Sequence, residues 1–339
     1  MANHSTITRR SFIKISALAT GAGMVGLGGS GRAFSAAYPE RDINILVPTE
    51  AGGGADRDGR VFAKIWMNHL KTKFTFDFFP GASGQVGYEV YMGKRDPDAY
   101  NLLFGNVGPE MIMYALQNPP YKFPNDYHYI TKISSETMAI FVGKDSPIKS
   151  IEQLVDLGKK RTVTIAVSRL PHPASIGALS LAEATGAKFN LIPFGGGGPS
   201  TRAGLSGETD AVALPIAQPV KLDKEARTLV VFDKNTVPEF TNNAPEVNKV
   251  FGTKIPPLNS SRAFGLHKAA IDKYPDRVKV LKESMRKVFS DPAYAEEVKK
   301  AGLPTAFIDY GDEENAMAEA NATVELAHRF KTLLTGKKK

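Results

Sequence analysis

The chain of 339 residues contains no cysteine. That one absence excludes disulfides, a lipoprotein anchor, thiol catalysis and cysteine metal sites together. Histidine is scarce as well: His4, His69, His128, His172, His267 and His328 show no metal-ligand spacing, so neither a metal nor another cofactor is expected. There is also no strongly basic face. The chain carries 43 Lys and Arg against 35 Asp and Glu, a net charge of +8. Half of that excess (Arg9, Arg10, Lys14 and Arg32) precedes residue 38 with no acid beside it, and Lys337, Lys338 and Lys339 supply most of the remainder. A nucleic-acid footprint needs a clustered basic surface, so no nucleic-acid partner is expected. Finally, the weakly apolar segment from Ile15 to about Gly29 is too short and glycine-rich to span a hydrocarbon core. A protein with none of these supports is stabilised by its core. About 300 residues can bury one, and at that size a chain usually divides into two domains.

What is present begins with Thr8-Arg9-Arg10-Ser11-Phe12-Ile13-Lys14, a short apolar segment, and then Ala33-Phe34-Ser35-Ala36-Ala37. A basic start, a short apolar run and small residues at a cleavage site form the export pattern, and the paired arginines mark the twin-arginine route. Residues 1–37 are therefore expected to be a signal peptide cleaved near Ala37, which places the mature protein in the periplasm.

The stretch Ile43-Asn44-Ile45-Leu46-Val47-Pro48-Thr49-Glu50-Ala51-Gly52-Gly53-Gly54-Ala55-Asp56-Arg57-Asp58-Gly59-Arg60 moves from a β-branched apolar run through glycines into a helical pattern. Val61, Phe62, Ile65, Trp66, His69 and Leu70 continue that pattern as one helix face laid on a sheet. Gly52, Gly53 and Gly54 then sit at a helix N-terminus, where close backbone approach, unpaired N–H groups and the helix dipole favour a carboxylate or phosphate. The Lys and Ser/Thr of a P-loop are missing, and the dinucleotide fingerprint does not fit. A βα turn with no ligand is the alternative reading. His69 reads as a packed core residue.

The alternation of strand and helix continues, which indicates an α/β protein with mostly parallel sheets. Strands are expected at 74–79 and 101–104, with small or polar loops at Pro80-Gly81-Ala82-Ser83-Gly84-Gln85-Val86-Gly87 and Gly105-Asn106-Val107-Gly108-Pro109. The design repeats with a helix at 151–160, a strand at 163–167, a helix at 174–184 and strands at 191–194 and 211–214. A long extended crossing is expected at 130–142 and a return at 227–232, followed by peripheral helices at 274–289, 292–300 and 313–334. Loops after parallel strands share one sheet edge, where ligands bind. The expected organisation is one lobe from 38–140 plus 233–339, a second from 141–232, and a cleft between them that closes on a small molecule.

Tyr38-Pro39, Ile45-Leu46-Val47-Pro48, Ala51-Gly52-Gly53 with Asp56 and Arg60, Pro80-Gly81-Ala82-Ser83-Gly84 with Gly87, Asp96-Pro97-Asp98-Ala99-Tyr100, Ile192-Pro193-Phe194 with Gly196, Gly197 and Pro199, and Leu205, Gly207, Asp210-Ala211-Val212 occur in this order. Together they resemble the periplasmic receptors of tripartite tricarboxylate transporters, often called the Bug family. The resemblance implies a type II periplasmic-binding-protein fold and a carboxylate held largely by backbone amides and waters. It also implies delivery to integral membrane transporter subunits. Carried over by position, Thr49, Glu50, Ala51, Gly52, Gly53, Ala55 and Asp56, with Ala82, Ser83 and Gln85, would cradle the proximal carboxylate. Asn106 and Gly108 in the third loop, and Phe194, Gly195 and Pro215 at the second lobe's sheet edge, complete the candidate lining. The chain is read as a monomer and not as an enzyme.

The chain departs from the family at Ser168-Arg169-Leu170-Pro171-His172-Pro173-Ala174-Ser175, where prolines and a cation replace a Gly/Ser-rich loop. Ser168, Arg169 and His172 are expected to clamp a second carboxylate or another polar end of the ligand. The expected ligand is a dicarboxylate or an aromatic carboxylate, with a solvated or acid-paired Arg169 as the alternative. A sensor subunit for a membrane signalling partner uses the same cleft. A hydrolase or lyase is the third reading, weakened because Gln85 stands where a nucleophile elbow needs its second glycine.

Overall fold

The computed structural model describes residues 38–335. The signal-peptide reading at 1–37 and the terminal lysines lie outside them. In chain order the first elements are β1 (Ile43–Val47), α1 (Gly54–Leu70), β2 (Phe74–Phe78), α2 (Gln85–Lys94), β3 (Asn101–Asn106), α3 (Val107–Gln117) and β4 (Tyr127–Gly143). They are followed by α4 (Ile151–Lys160), β5 (Val163–Val167), α5 (Pro173–Thr185), β6 (Phe189–Pro193), α6 (Gly197–Leu205), β7 (Ala211–Pro215), α7 (Ala217–Leu222) and β8 (Ala226–Val231). The remainder comprises α8 (Val247–Phe251), β9 (Asn259–His267), α9 (Lys268–Lys273), α10 (Pro275–Phe289), α11 (Pro292–Lys300), β10 (Ile308–Gly311), α12 (Glu313–Arg329) and α13 (Lys331–Thr335).

The strands form one 10-stranded sheet whose main path is β2-β1-β3-β9-β4-β7-β5-β6, with β8 and β10 also on β4. Each end of that path is a parallel set, β2-β1-β3 in one half and β7-β5-β6 in the other. Antiparallel β9 and β4 join them. β4 is the shared spine. Its N-terminal part pairs with β9 as far as Thr137 opposite Asn259, and from Met138 opposite Pro215 it pairs with β7. The segment expected as a long extended crossing is thus one strand, paired in both halves.

Why α1 forms and stays is clear from its faces. Ala55, Phe62, Ile65, Trp66 and Leu70 are buried at helical spacing, and Lys71 ends the helix in the left-handed conformation, φ 58°, with its N–H on Met67 O. The Trp66 indole N–H donates to Ser284 Oγ of α10 at 2.8 Å, so the polar end of the largest side chain is satisfied. His69 departs from the sequence reading: its ring is part-exposed and Nε2 lies 2.9 Å from Asp291 Oδ2, an ion-pairing position at the edge of the core.

A second core lies under α2, α3 and α12 and is built of Tyr88, Tyr91, Tyr121, Phe123, Tyr127 and Tyr129. A third fills the half around β5 and β7, with Ile165, Val167, Ile176, Leu181 and Ala213. The expected single helix at 313–334 is broken at Phe330, the C-cap of α12. Far from being peripheral, its Ala316 and Ala320 are buried in the tyrosine core. Among the described residues no helix is long and apolar enough to cross a membrane.

Candidate functional site

β1 and β2 are adjacent and parallel, so the loops that follow them leave from one edge of the sheet. The β1–α1 loop turns at Gly52, φ 78°, whose N–H donates to Asp56 Oδ2 at 2.8 Å. Asp56 Oδ1 takes Arg60 Nε at 2.5 Å, so this acid holds the loop's shape. The first intrahelical bond is Arg57 N–H to Gly53 O at 3.1 Å, which leaves the N–H groups of Gly54, Ala55 and Asp56 ahead of it. Glu50, Ala51, Gly52 and Gly53 are exposed, and Thr49 is half-buried with its Oγ1 out of water and without a hydrogen-bond partner.

The second loop is strained. Gly81, Ala82, Ser83 and Gly84 all have positive φ, at 124°, 45°, 61° and 106°. For Ala82 and Ser83 that conformation costs about 1–2 kcal/mol each, and it persists only where neighbours impose it. One such neighbour is Arg169. Its Nη1 donates to Ser83 O at 2.5 Å, reaching from the β5–α5 loop to the loop after β2. A Cβ built on Gly84 would stand 3.3 Å from Arg169 Nη1, 3.4 Å from Glu110 Cγ and 3.5 Å from Pro48 O, so three loops and the first turn of α3 meet at that point. Ala82 is exposed, Ser83 and Gln85 are half-buried, and Gln85 Nε2 turns back to Glu89 Oε1 at 2.6 Å.

The third expected loop does not exist as a loop, because β3 runs directly into α3 with Asn106 as its cap residue. Glu110 bends back over that junction. Its Oε2 accepts Asn106 N–H at 2.9 Å and Tyr88 Oη at 2.8 Å, and its Oε1 accepts Asn106 Nδ2 at 3.2 Å. Tyr88 Oη also hydrogen-bonds to Tyr129 Oη. Arg169 Nη2 lies 3.9 Å from Glu110 Oε1. Burial pushes the Glu110 carboxyl up from its usual value, while Arg169 and the Asn106 and Tyr88 donors pull it back. Burial likewise lowers Arg169, and Glu110 opposes that shift. Two N–H donors aimed at the two oxygens fit the ionised form. Gly108 is buried, with Pro173 and Ser260 against it.

His172 does not join Arg169 as a titrating donor. It is 4 % exposed, its Nδ1 accepts the Ala174 N–H at 3.1 Å as the cap of α5, and burial followed by the nearby Arg169 and Arg262 holds it neutral, well below its usual range. Ser168 is half-buried beside Arg169, Phe194 is half-buried with its N–H on Val167 O, Gly195 is exposed, and Pro215 ends β7 opposite Met138.

Sequence reasoning missed a second charge cluster directly beneath α1. Arg57 Nε lies 2.7 Å from Asp58 Oδ1, Arg262 Nε lies 3.2 Å from Asp58 Oδ2, and Arg262 Nη2 lies 3.3 Å from Glu136 Oε1. Glu136 Oε2 also accepts the Ala217 N–H of α7 at 3.3 Å. Burial pushes Glu136 up, Arg262 lowers it and Asp58 raises it again. The cluster touches the anion-facing loop, since a Cβ on Gly54 would sit 3.0 Å from Arg262 Nη2. Arg262 Nε faces Asp58 off the hydrogen-bonding direction, and Arg57 Nη2 and Ser260 Oγ are likewise buried without partners. Sequence reasoning also missed Glu110, the partner of Arg169, whose one available signal was its place as a lone acid in the apolar run Val107-Gly108-Pro109-Glu110-Met111-Ile112-Met113.

Chemically the edge offers backbone amides, hydroxyls and guanidinium groups, all suited to an oxyanion. Among the described residues no histidine hydrogen-bonds to a serine, and no His, Asp and Glu side chains form a metal cluster. A UPF0065 protein of Agrobacterium vitis is 30 % identical over 179 residues, which is 51 % of this chain and 50 % of that protein. The chain thus spans about half the length of that curated relative. The periplasmic binding protein BugD superposes with a TM-score of 0.73 at 22 % identity, over 87 % of this chain and 98 % of that one. An R. palustris protein solved with adipate superposes with a TM-score of 0.75 at 18 % identity, over 88 % and 98 % of the two chains. At these identities the likeness establishes the periplasmic-binding-protein fold. The model of the tripartite tricarboxylate transporter receptors matches residues 60–325, most of the described chain, and the protein belongs to that family.

Proposed function

We propose that this receptor binds a small organic carboxylate between two lobes, 38–140 with 233–339 and 141–232, and delivers it to integral membrane subunits in the periplasm. The observation that carries the reading is the strained Gly81-Ala82-Ser83-Gly84 loop set beside the glycine N-terminus of α1. Backbone strain kept at a sheet edge next to unpaired amides is what a preformed oxyanion cradle requires. The candidate contacts are the amides from Gly53 through Asp56, Ser83, Thr49 Oγ1 and the groups that approach from Arg169, Phe194 and Pro215. The R. palustris neighbour's adipate supports the ligand chemistry. β4, whose pairing passes from β9 to β7 at Thr137 and Met138, is the segment about which such lobes would turn.

A thermal-shift screen over small organic acids tests this. A ligand at one hundred times its dissociation constant stabilises the folded state by about 2.7 kcal/mol, a readable shift. If a neutral sugar or an amine raises the melting temperature and no carboxylate does, the proposal fails. The route to the periplasm is tested separately. With Arg9 and Arg10 both replaced by Lys, the protein is expected to stay in the cytoplasm, and normal periplasmic protein would remove the twin-arginine assignment.

A further inference from the structure

We infer that Arg169 is a latch between the lobes: reaching from the β5–α5 loop, it holds the carbonyl of Ser83, and so closes the cleft and shapes its anion-facing loop together. The inference rests on the two-lobed receptor reading above and adds how that receptor closes.

Arg169 follows β5, in the half of the sheet built on β7-β5-β6, and both of its partners belong to the β2-β1-β3 half. Its Nη1 donates to Ser83 O at 2.5 Å, and its Nη2 lies 3.9 Å from Glu110 Oε1. The hydrogen bond is the firm contact, and the carboxylate at 3.9 Å steadies the charge without bonding to it. The Arg169 side chain is 15 % exposed and that of Glu110 is fully buried, so little water competes for the contact. The other end of the same loop touches the same half. A Cβ on Gly108, in the first turn of α3, would stand 2.9 Å from Pro173 Cγ, so the proline ring packs where only glycine leaves room. All of these partners are atoms of the protein itself.

The loop that carries Arg169 is built to hold this reach. Pro171 and Pro173 fix their own φ, and His172 Nδ1 accepts the Ala174 N–H at 3.1 Å. Ser175 Oγ donates to Arg169 O at 3.1 Å, which ties the backbone under the guanidinium to the first turn of α5. A loop fixed in advance loses little entropy when its arginine engages, so the prolines and the cation have one explanation. The opposite loop bears the strain. Ala82 and Ser83 stand at φ 45° and 61°, a conformation that persists only where neighbours impose it. Gly84 N–H closes on Gly81 O at 2.8 Å, and Arg169 takes the carbonyl of the residue just before Gly84. When the halves part, Ser83 O loses that donor, and the loop loses its imposed shape with it. Arg169 is therefore a positioning residue, acting on a ligand through the 81–84 loop.

The test uses Arg169→Gln in the full chain, dialysed free of small molecules, with X-ray scattering and amide hydrogen exchange as the two readings. The variant is expected to fold, because Glu110 keeps Asn106 N–H, Asn106 Nδ2 and Tyr88 Oη, all from its own half. Losing one charge-assisted hydrogen bond shifts the balance of closed and parted forms about ten- to a hundredfold toward the parted form. The radius of gyration is expected to rise above the wild-type value. Amides at 81–88 and 168–175 are expected to exchange about ten- to a hundredfold faster, while those of β9 and α10 keep their wild-type rates. Both changes are required. Faster loop exchange at an unchanged radius means that Arg169 steadies a loop and not the lobes, and a larger radius with unmoved loop exchange separates closure from the cradle; either overturns the inference. Faster exchange along the whole chain overturns it as well, since that is a loss of global stability. If Arg169→Gln does not fold, Arg169→Lys, which keeps the charge and gives up the fork, decides by the same two readings with about a tenfold change expected. No ligand enters this measurement, so a failed latch leaves the carboxylate reading standing, and a thermal screen without a hit leaves the latch standing.

Discussion

Arg262→Met is expected to lower the free energy of unfolding by about 3–5 kcal/mol, the cost of stranding buried carboxylates that have lost their partner. Arg262 is 6 % exposed, and the acids it faces, Asp58 and Glu136, are 8 % and 3 % exposed. Removing the guanidinium leaves Arg57 to serve both, and Arg57 approaches Asp58 while Glu136 keeps only the Ala217 N–H. Met fills the volume of the stem, so little of the loss is cavity. Urea unfolding at neutral pH measures the effect, and Arg262→Met combined with Glu136→Gln should regain a large part of it because the stranded charge is gone. A loss below about 1 kcal/mol would mean that water reaches the cluster and the pairs behave as surface pairs. Arg262 Nη2 also lies under Gly54, so the same substitution is expected to weaken carboxylate binding by loosening the start of α1.

Arg262 also shows where a single sequence stops being legible. The parallel strands were readable because each is a short, largely apolar run followed within a few residues by glycine or proline, and the residues 43–47, 151–160 and 163–167 expected as strand, helix and strand are the observed β1, α4 and β5. β9 was not readable. Its first residues, Asn259-Ser260-Ser261-Arg262, are all polar, yet Ser260, Ser261 and Arg262 are buried, paired along β4 and at Arg262 also with β3, and internal acids face the arginine. Strand preference is set by neighbours, and here the neighbours are more than a hundred residues away in sequence. For β4 the extended conformation was legible, as a long crossing at 130–142, but its strand partners β9, β7 and β8 were not.

The candidate site divides along the same line. Glycine at a helix start, and a small-residue loop after a strand, are local signals with a local cause, and they placed the β1–α1 and β2–α2 loops at one edge. Charge pairing is not local. Arg169 with Glu110 and Ser83, and Arg262 with Asp58 and Glu136, join residues that no spacing rule connects. The sequence could flag Arg169 as a cation in an unusual loop, but what it faces came only from the fold. His172 is the same case, since a histidine after a proline reads as a pH-sensitive donor until the Ala174 N–H is seen on its Nδ1.

Phe62→Ala is expected to cost about 3–5 kcal/mol of stability while leaving the carboxylate cradle intact. Phe62 is fully buried and central to an aromatic cluster, with ring centroids 5.7 Å from Trp66, 5.4 Å from Phe264, 5.6 Å from Phe289 and 5.5 Å from Tyr294. Those four rings belong to α1, β9, α10 and α11, so the space left by Phe62 cannot close by moving one side chain. The large end of the usual range follows from that rigidity. Phe62 stands eight positions beyond Gly54, about 12 Å along the helix at 1.5 Å per residue, and the turns between them are fixed by Asp58 and its arginines. Denaturant unfolding should therefore show a lower midpoint with an unchanged slope, and calorimetry should show a dissociation constant within about threefold of the wild-type value, as expected for independent sites. If affinity falls in step with stability instead, the anion-facing turn is positioned by the aromatic core and the buried charges beneath Gly54 are not what holds it.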